Sequence, residues 1–269
     1  MLSLCYNGNF AAADAPVLHA GNKSYRYGDG FFETIRVVNS KIPLQTLHKN
    51  RIEKSLLLLY YELPVAIDTL FSQILELCSL NNCGNDARVR LSFSHGEGTL
   101  FEHAPLHYLI EATPYSLPAT ASGLNLGFYT GLKKEASSYS SLKLSSAFIY
   151  SRAAQYCTVQ GWNDCLILNT RQQIIESVIS NIFWIKNGVV ATPPLTDGCI
   201  AGVFRSFLLK QDPLIEERSC TSEILKEADE IFLTNALRGI QSVQQLEERM
   251  YINTITQNRF CITDKNPFG

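Results

Sequence analysis

Between Trp162 and Thr192 the chain writes two hairpins in succession, and no other feature limits its fold as much. The apolar run Cys165-Leu166-Ile167-Leu168 meets the polar stretch Asn169-Thr170-Arg171-Gln172-Gln173 and returns through Ile174 toward Glu176. Phe183-Trp184-Ile185 then turns at Asn187-Gly188 into Val189-Val190. Asn-Gly is the strongest two-residue hairpin signal, because both central positions of the tight turn need positive φ. Past the second hairpin, Pro193-Pro194-Leu195 runs into Gly198-Cys199-Ile200-Ala201-Gly202 and a stretch predicted helical from Val203 to Lys210.

Upstream, the chain alternates strands and helices. A short strand, the turn Asn7-Gly8-Asn9 and a return strand are followed by a strand from about Phe31 to Val38, turning at Asn39-Ser40-Lys41. Leu47, Ile52, Leu56, Leu59 and Tyr60 recur at helical spacing, predicting a helix from Leu47 to Leu63 that stops at Pro64. Ile67 to Leu80 reads as a second amphipathic helix with Asp68 as its N-cap. Val89 to Ser94 and Leu106 to Ala112 read as strands. Ser116 to Gly123, small and turn-prone, is the predicted linker, and a helix follows Lys143. Near the end come a polar segment, Glu223 to Ala228, and a strand from Glu230 to Thr234. Mixed strands and helices in both halves predict an α+β protein of two domains: residues 1–115, a linker at 116–123, and residues 124–269.

Composition narrows the class. A chain of 269 residues, 46% apolar, can bury a substantial core. A net charge of −2 and a pI near 6.2 leave no basic excess for nucleic acid or an anionic membrane. No apolar stretch approaches the roughly 20 residues of a bilayer span, and Met1 to Phe10 lacks the pattern of a signal peptide. The cysteines at 5, 78, 83, 157, 165, 199, 220 and 261 form no CxxC pair. They read as reduced packing residues of a cytoplasmic protein rather than a metal site.

Two reactive groups flank the first hairpin. Lys143, in Ser140-Ser141-Leu142-Lys143-Leu144-Ser145-Ser146, precedes Glu176 by 33 positions. A lysine amine can hold the aldehyde of pyridoxal phosphate as a Schiff base, and a carboxylate facing the pyridine nitrogen keeps it protonated. In the N-terminal half stand Tyr27-Gly28-Asp29-Gly30-Phe31-Phe32-Glu33-Thr34-Ile35-Arg36 and Leu47-His48-Lys49-Asn50-Arg51-Ile52. In this order, from about Tyr6 to Val243, the motifs resemble the class IV aminotransferases, the fold-type IV pyridoxal phosphate enzymes. That family comprises branched-chain aminotransferases, D-amino-acid aminotransferases and aminodeoxychorismate lyases.

The resemblance implies a D-amino-acid aminotransferase-like fold with the cofactor in an interdomain cleft, a homodimer, and small-molecule amino-acid and 2-oxo-acid substrates. It implies that Lys143 carries the cofactor and moves the proton, and that Glu176 holds the pyridinium. Arg51, the loop end at Gly202, the amides of Val203 and Phe204, and Thr234-Asn235 would hold the phosphate. Amides at a helix start suit an anion, and a planar guanidinium matches two phosphate oxygens. Arg90, on the strand face opposite Val89 and Leu91 and shared with Arg88, and Tyr27 would meet the substrate. Thr34, whose hydroxyl could relay a proton to the lysine, is characteristic of the lyase branch, as is Asn235-Ala236. His48 is read as structural.

The chain also departs from the family. Phe204 stands where a hydroxyl residue is usual, no asparagine lies three places after Lys143, and Phe148 replaces a tyrosine found in branched-chain enzymes. The expected reaction is amino-group transfer between a branched-chain or other small amino acid and a 2-oxo acid. Two alternatives stay open: elimination of pyruvate from aminodeoxychorismate to give 4-aminobenzoate, and an inactive binding protein that keeps the fold.

Overall fold

The computed structural model describes residues 2–117, 123–260 and 267–268, so 118–122 of the expected linker lie outside the described residues. Two compact units emerge. The first comprises Met1–Leu117 with Leu142–Ala147, and the second Pro118–Ser141 with Phe148–Gly269.

In the first unit, β1 (Ser3–Tyr6) and β2 (Asn9–Ala12) form a hairpin, followed by the short α1 (Lys23–Tyr27), β3 (Gly30–Val38), α2 (Gln45–Leu59), α3 (Ile67–Leu80), β4 (Asp86–His95) and β5 (Leu106–Pro114). The five strands make one antiparallel sheet ordered β2-β1-β5-β4-β3. Ile52 of α2 and Leu70, Ile74 and Leu77 of α3 are buried with Ile35, Val89, Leu91 and Ile110 of the strands. Phe31 stacks on Phe93 with ring centroids 4.4 Å apart.

Leu142–Ala147 joins this unit because it lies along the outer edge of β3. Phe32 N donates to Lys143 O and Ser145 N donates to Gly30 O, each at 2.9 Å. The sequence reading placed Lys143 in the C-terminal domain; its backbone bonds instead belong with the N-terminal sheet. Two helix boundaries also differ from expectation. α2 ends at Leu59 because Tyr60 takes a left-handed φ of 56° and its N–H bonds back into the last turn, four residues before the predicted end at Leu63. The N-cap of α3 is Ala66, without a side-chain cap, and Asp68 lies in the first turn, paired with Lys49.

The second unit runs through β6 (Leu124–Phe128), α4 (Phe148–Gln160), β7 (Asp164–Leu168), β8 (Ile174–Ser177), β9 (Asn181–Lys186), β10 (Val189–Thr192), α5 (Val203–Gln211), β11 (Glu216–Glu217), α6 (Ser222–Glu227), β12 (Glu230–Asn235), β13 (Gly239–Leu246), β14 (Arg249–Met250) and α7 (Thr254–Phe260). Its mixed sheet is ordered β11-β10-β9-β12-β13-β6-β7-β8, with β14 on β13. Both predicted hairpins are present: β7 pairs with β8, and β9 with β10 through a turn at Asn187 (φ 50°) and Gly188 (φ 78°). Consecutive Ile231, Phe232 and Leu233 are all fully buried, so β12 is covered on both faces. The polar segment after Cys220 is helical, because the Thr221 side chain caps α6 by accepting from Ile224 N.

Candidate active site

The lysine half of the motif belongs to the first unit. β3 alternates its side chains: Phe31, Glu33 and Ile35 are buried, while Phe32 and Thr34 are half-buried on the other face. Edge pairing sets Lys143 beside Phe32, and Lys143 Nζ lies 4.6 Å from the centre of the Phe32 ring. The Arg90 guanidinium carbon lies 3.8 Å from the same ring centre. Arg90 Nε donates to Ser92 Oγ at 3.1 Å, and burial lowers the Arg90 pKa from its ordinary value. Thr34 is paired across the ladder with Arg90. The amine and the guanidinium thus both contact the Phe32 ring, and cation–π attraction favours each contact.

On the buried face of β3, Arg51 of α2 meets Glu33. Arg51 Nε and NH2 donate to the two Glu33 oxygens at 2.6 and 2.7 Å, and His48 Nδ1 lies 2.8 Å from Glu33 Oε2. Burial raises the Glu33 carboxyl, but the Arg51 charge and the His48 and Arg51 hydrogen bonds outweigh it and hold the carboxyl at about 2. Much of the Arg51 donor fork is therefore engaged by a carboxylate that the sequence reading did not pair with it. His48 is buried. Tyr27 closes α1 and is 43% exposed.

The glutamate half belongs to the second unit. Glu176, on β8, is 2% exposed. Its Oε1 accepts from Lys134 Nζ at 2.9 Å and from Tyr150 OH at 2.7 Å, and its Oε2 accepts from Ile200 N at 2.9 Å. Neither Lys134 nor Tyr150 carries a local signal, because they stand 42 and 26 positions away from Glu176. Three donors leave one of a carboxylate's roughly four acceptor sites available. That suits one ring N–H.

The Ile200 amide ties Glu176 to the loop that opens α5. Gly202 is the N-cap and contributes no side-chain cap, so the first-turn amides from Val203 and Phe204 onward have no partner within the helix. A Cβ on Gly202 would lie 1.8 Å from Asn181 Oδ1, so only glycine lets the loop approach this closely. Asn181 in turn pairs with Thr234 across β9 and β12, and among the described residues the buried Thr234 hydroxyl has no hydrogen-bond partner. A helix start and an orphaned hydroxyl, both adjoining Asn181, fit a bound phosphate. Asn235 differs from expectation in what its side chain does. Its Nδ2 donates to Ser180 Oγ and its Oδ1 accepts from Leu237 N and Arg238 N, shaping the turn into β13. Residues 236–240 form that turn and the start of β13.

Comparison with known proteins now decides the family. The profile described as Amino-transferase class IV matches residues 30–246, most of the chain. The chain belongs to the class IV aminotransferases. It is 28% identical over 261 residues to the aminodeoxychorismate lyase of Bacillus subtilis, covering 91% of this chain and 87% of the relative. It is 24% identical over 264 residues to the branched-chain-amino-acid aminotransferase of Escherichia coli K12, covering 90% and 84%. The fold matches the branched-chain aminotransferase of Thermoproteus uzoniensis solved with norvaline, with a TM-score of 0.87, 20% identity, and coverage of 96% of this chain and 91% of that one. As a class IV aminotransferase the chain is an enzyme, and its cofactor is pyridoxal 5′-phosphate. The inactive alternative is set aside. Glu176 with one open acceptor site, the α5 amides and the Thr234 hydroxyl fit that cofactor's ring and phosphate.

Proposed function

We propose that this class IV aminotransferase transfers an amino group between a branched-chain or other small amino acid and a 2-oxo acid, with Lys143 as the catalytic amine. One observation supports the reading: Lys143 and Arg90 both contact the Phe32 ring, so a cation able to bind a substrate carboxylate stands one side chain away from the amine. When bound, the cofactor supplies an aldehyde for the amine and an electron-withdrawing ring. Lys143 would move the proton from the substrate's α-carbon to the cofactor carbon that brought the aldehyde. Glu176 would accept the ring N–H, and Arg90 would orient the substrate carboxylate, with Tyr27 as a second polar contact. The Gly202-Val203-Phe204 helix start, Thr234, Asn235 and Arg51 would hold the phosphate.

A second reading, elimination of pyruvate from aminodeoxychorismate, is favoured by Thr34 and by the Asn235-Ala236 pair. We also read the protein as cytoplasmic, a reading supported by seven described cysteines that are buried and unpaired. The test offers one preparation a panel of L- and D-amino acids with 2-oxoglutarate, and separately aminodeoxychorismate. Release of the matching 2-oxo acid is expected. Release of 4-aminobenzoate and pyruvate without any amino transfer would replace this reading with the second.

A further inference from the structure

Lys134 was bound to no role by its sequence context, yet its side chain is fully committed. Its three N–H donors meet three acceptors: Ser140 O at 3.0 Å, Tyr150 OH at 2.7 Å and Glu176 Oε1 at 2.9 Å. Tyr150 closes the triangle, accepting from Lys134 while donating to Glu176. Burial and then the Glu176 charge push the Tyr150 phenol well above its usual range, so it remains a donor.

The neighbours add no competing cation. The Cys199 thiol, pushed up to about 12 by burial and then by Glu176, stays neutral. Arg205 is bound to Pro193 O and Glu217, and Asp197 to Arg171. Among the described residues, Lys134 is the cation hydrogen-bonded to Glu176.

We propose that Lys134 is the resident counter-ion of Glu176, a positioning residue that, with Tyr150, keeps this buried carboxylate paired and aimed before the cofactor arrives. The proposal rests on Glu176 being the partner of the ring nitrogen. A buried carboxylate without a cation is strongly destabilising, so the empty protein needs Lys134 more than the loaded protein does. The open acceptor site of Glu176 would take the ring N–H of the bound cofactor, which would supply a second positive charge. Lys134 and the ring nitrogen are therefore coupled through Glu176, and removing Lys134 raises what cofactor binding contributes to stability.

The experiment compares thermal unfolding of the apoprotein and of protein loaded with pyridoxal phosphate, for the wild type, Lys134→Met, Lys134→Arg, Glu176→Gln and the double variant Lys134→Met/Glu176→Gln. A cofactor analogue with carbon in place of the ring nitrogen is the control. Lys134→Met should lower the apoprotein midpoint, and its cofactor-induced rise should exceed that of the wild type by the equivalent of roughly tenfold or more in affinity, as for other close charge pairs. Lys134→Arg should restore wild-type behaviour. With the carbon analogue, or in the Glu176→Gln background, the excess should vanish. An equal fall in both forms of Lys134→Met would make Lys134 merely structural and overturn the proposal. Should Lys134→Met fail to fold in either form, the double variant is expected to fold because neither charge is left alone, and its failure would likewise overturn the proposal. The reading of Glu176 fails separately if the wild type gains as much from the carbon analogue as from the cofactor itself.

Discussion

At the scale of single residues, the amine assignment is the most exposed to test. Two lysines compete for it by proximity to the motif, and their surroundings separate them. Lys134 is held by three partners beside Glu176, whereas Lys143 lies against the Phe32 ring. Borohydride reduction of the loaded enzyme followed by peptide mapping should place the pyridoxyl label on Lys143, and Lys143→Ala should lose both label and turnover. A label on Lys134 would refute the assignment. Lys143 and Glu176 were legible because the motifs around them are distinctive as a set. Lys134, Tyr150 and Glu33 were not, because each acts on a partner 15 to 42 positions distant.

At the scale of elements, two pairings carry expectations. β3 and α2 are stapled by Glu33 with Arg51 and His48, and the Glu33 carboxyl is held at about 2. An unfolded glutamate titrates near 4.3, so the folded value is depressed. The stabilisation is fully present above the unfolded value and fades as pH falls from about 5 toward 2. Urea unfolding at a series of pH values should show a wild-type advantage over Glu33→Gln that is constant near neutrality and shrinks through that window; an advantage independent of pH would contradict the linkage. The second pairing sets the start of α5 against β9. Gly202→Ala forces a Cβ to within 1.8 Å of Asn181 Oδ1 unless one of them moves. Losing one charge-assisted hydrogen bond to the phosphate costs about 1.5–3 kcal/mol, so cofactor affinity should fall roughly 10-fold to 150-fold by equilibrium titration. Unchanged affinity would mean that the helix start does not hold the phosphate. Hairpin turns such as Asn187-Gly188 were readable because their geometry is local. The end of α2 was misread because Tyr60, not Pro64, adopts the terminating conformation.

At the scale of the whole molecule, the expected homodimer has a surface to account for. Tyr25 is 82%, Leu100 66% and Phe101 100% exposed, and α1 is tied to the loop that carries the latter two by Lys23, which donates to Glu102 O. Apolar side chains this exposed fit a second copy of the chain better than water. Sedimentation should give a dimer for the wild type, and Phe101→Glu should shift it toward monomer; a monomeric wild type would remove the expectation. No helix among the described residues is long and apolar enough to cross a membrane. The sequence by itself determined the α+β class, the two successive hairpins, the family and its cofactor, because these rest on periodicity, turn chemistry and motif order along the chain. Only the tertiary structure decided that the Lys143 segment is bonded to the edge of β3, that Arg51 is shared with a buried Glu33, and that Glu176 has its own lysine. Those outcomes depend on hydrogen bonds closed between distant residues, and a buried charge takes whichever partner the fold brings within reach.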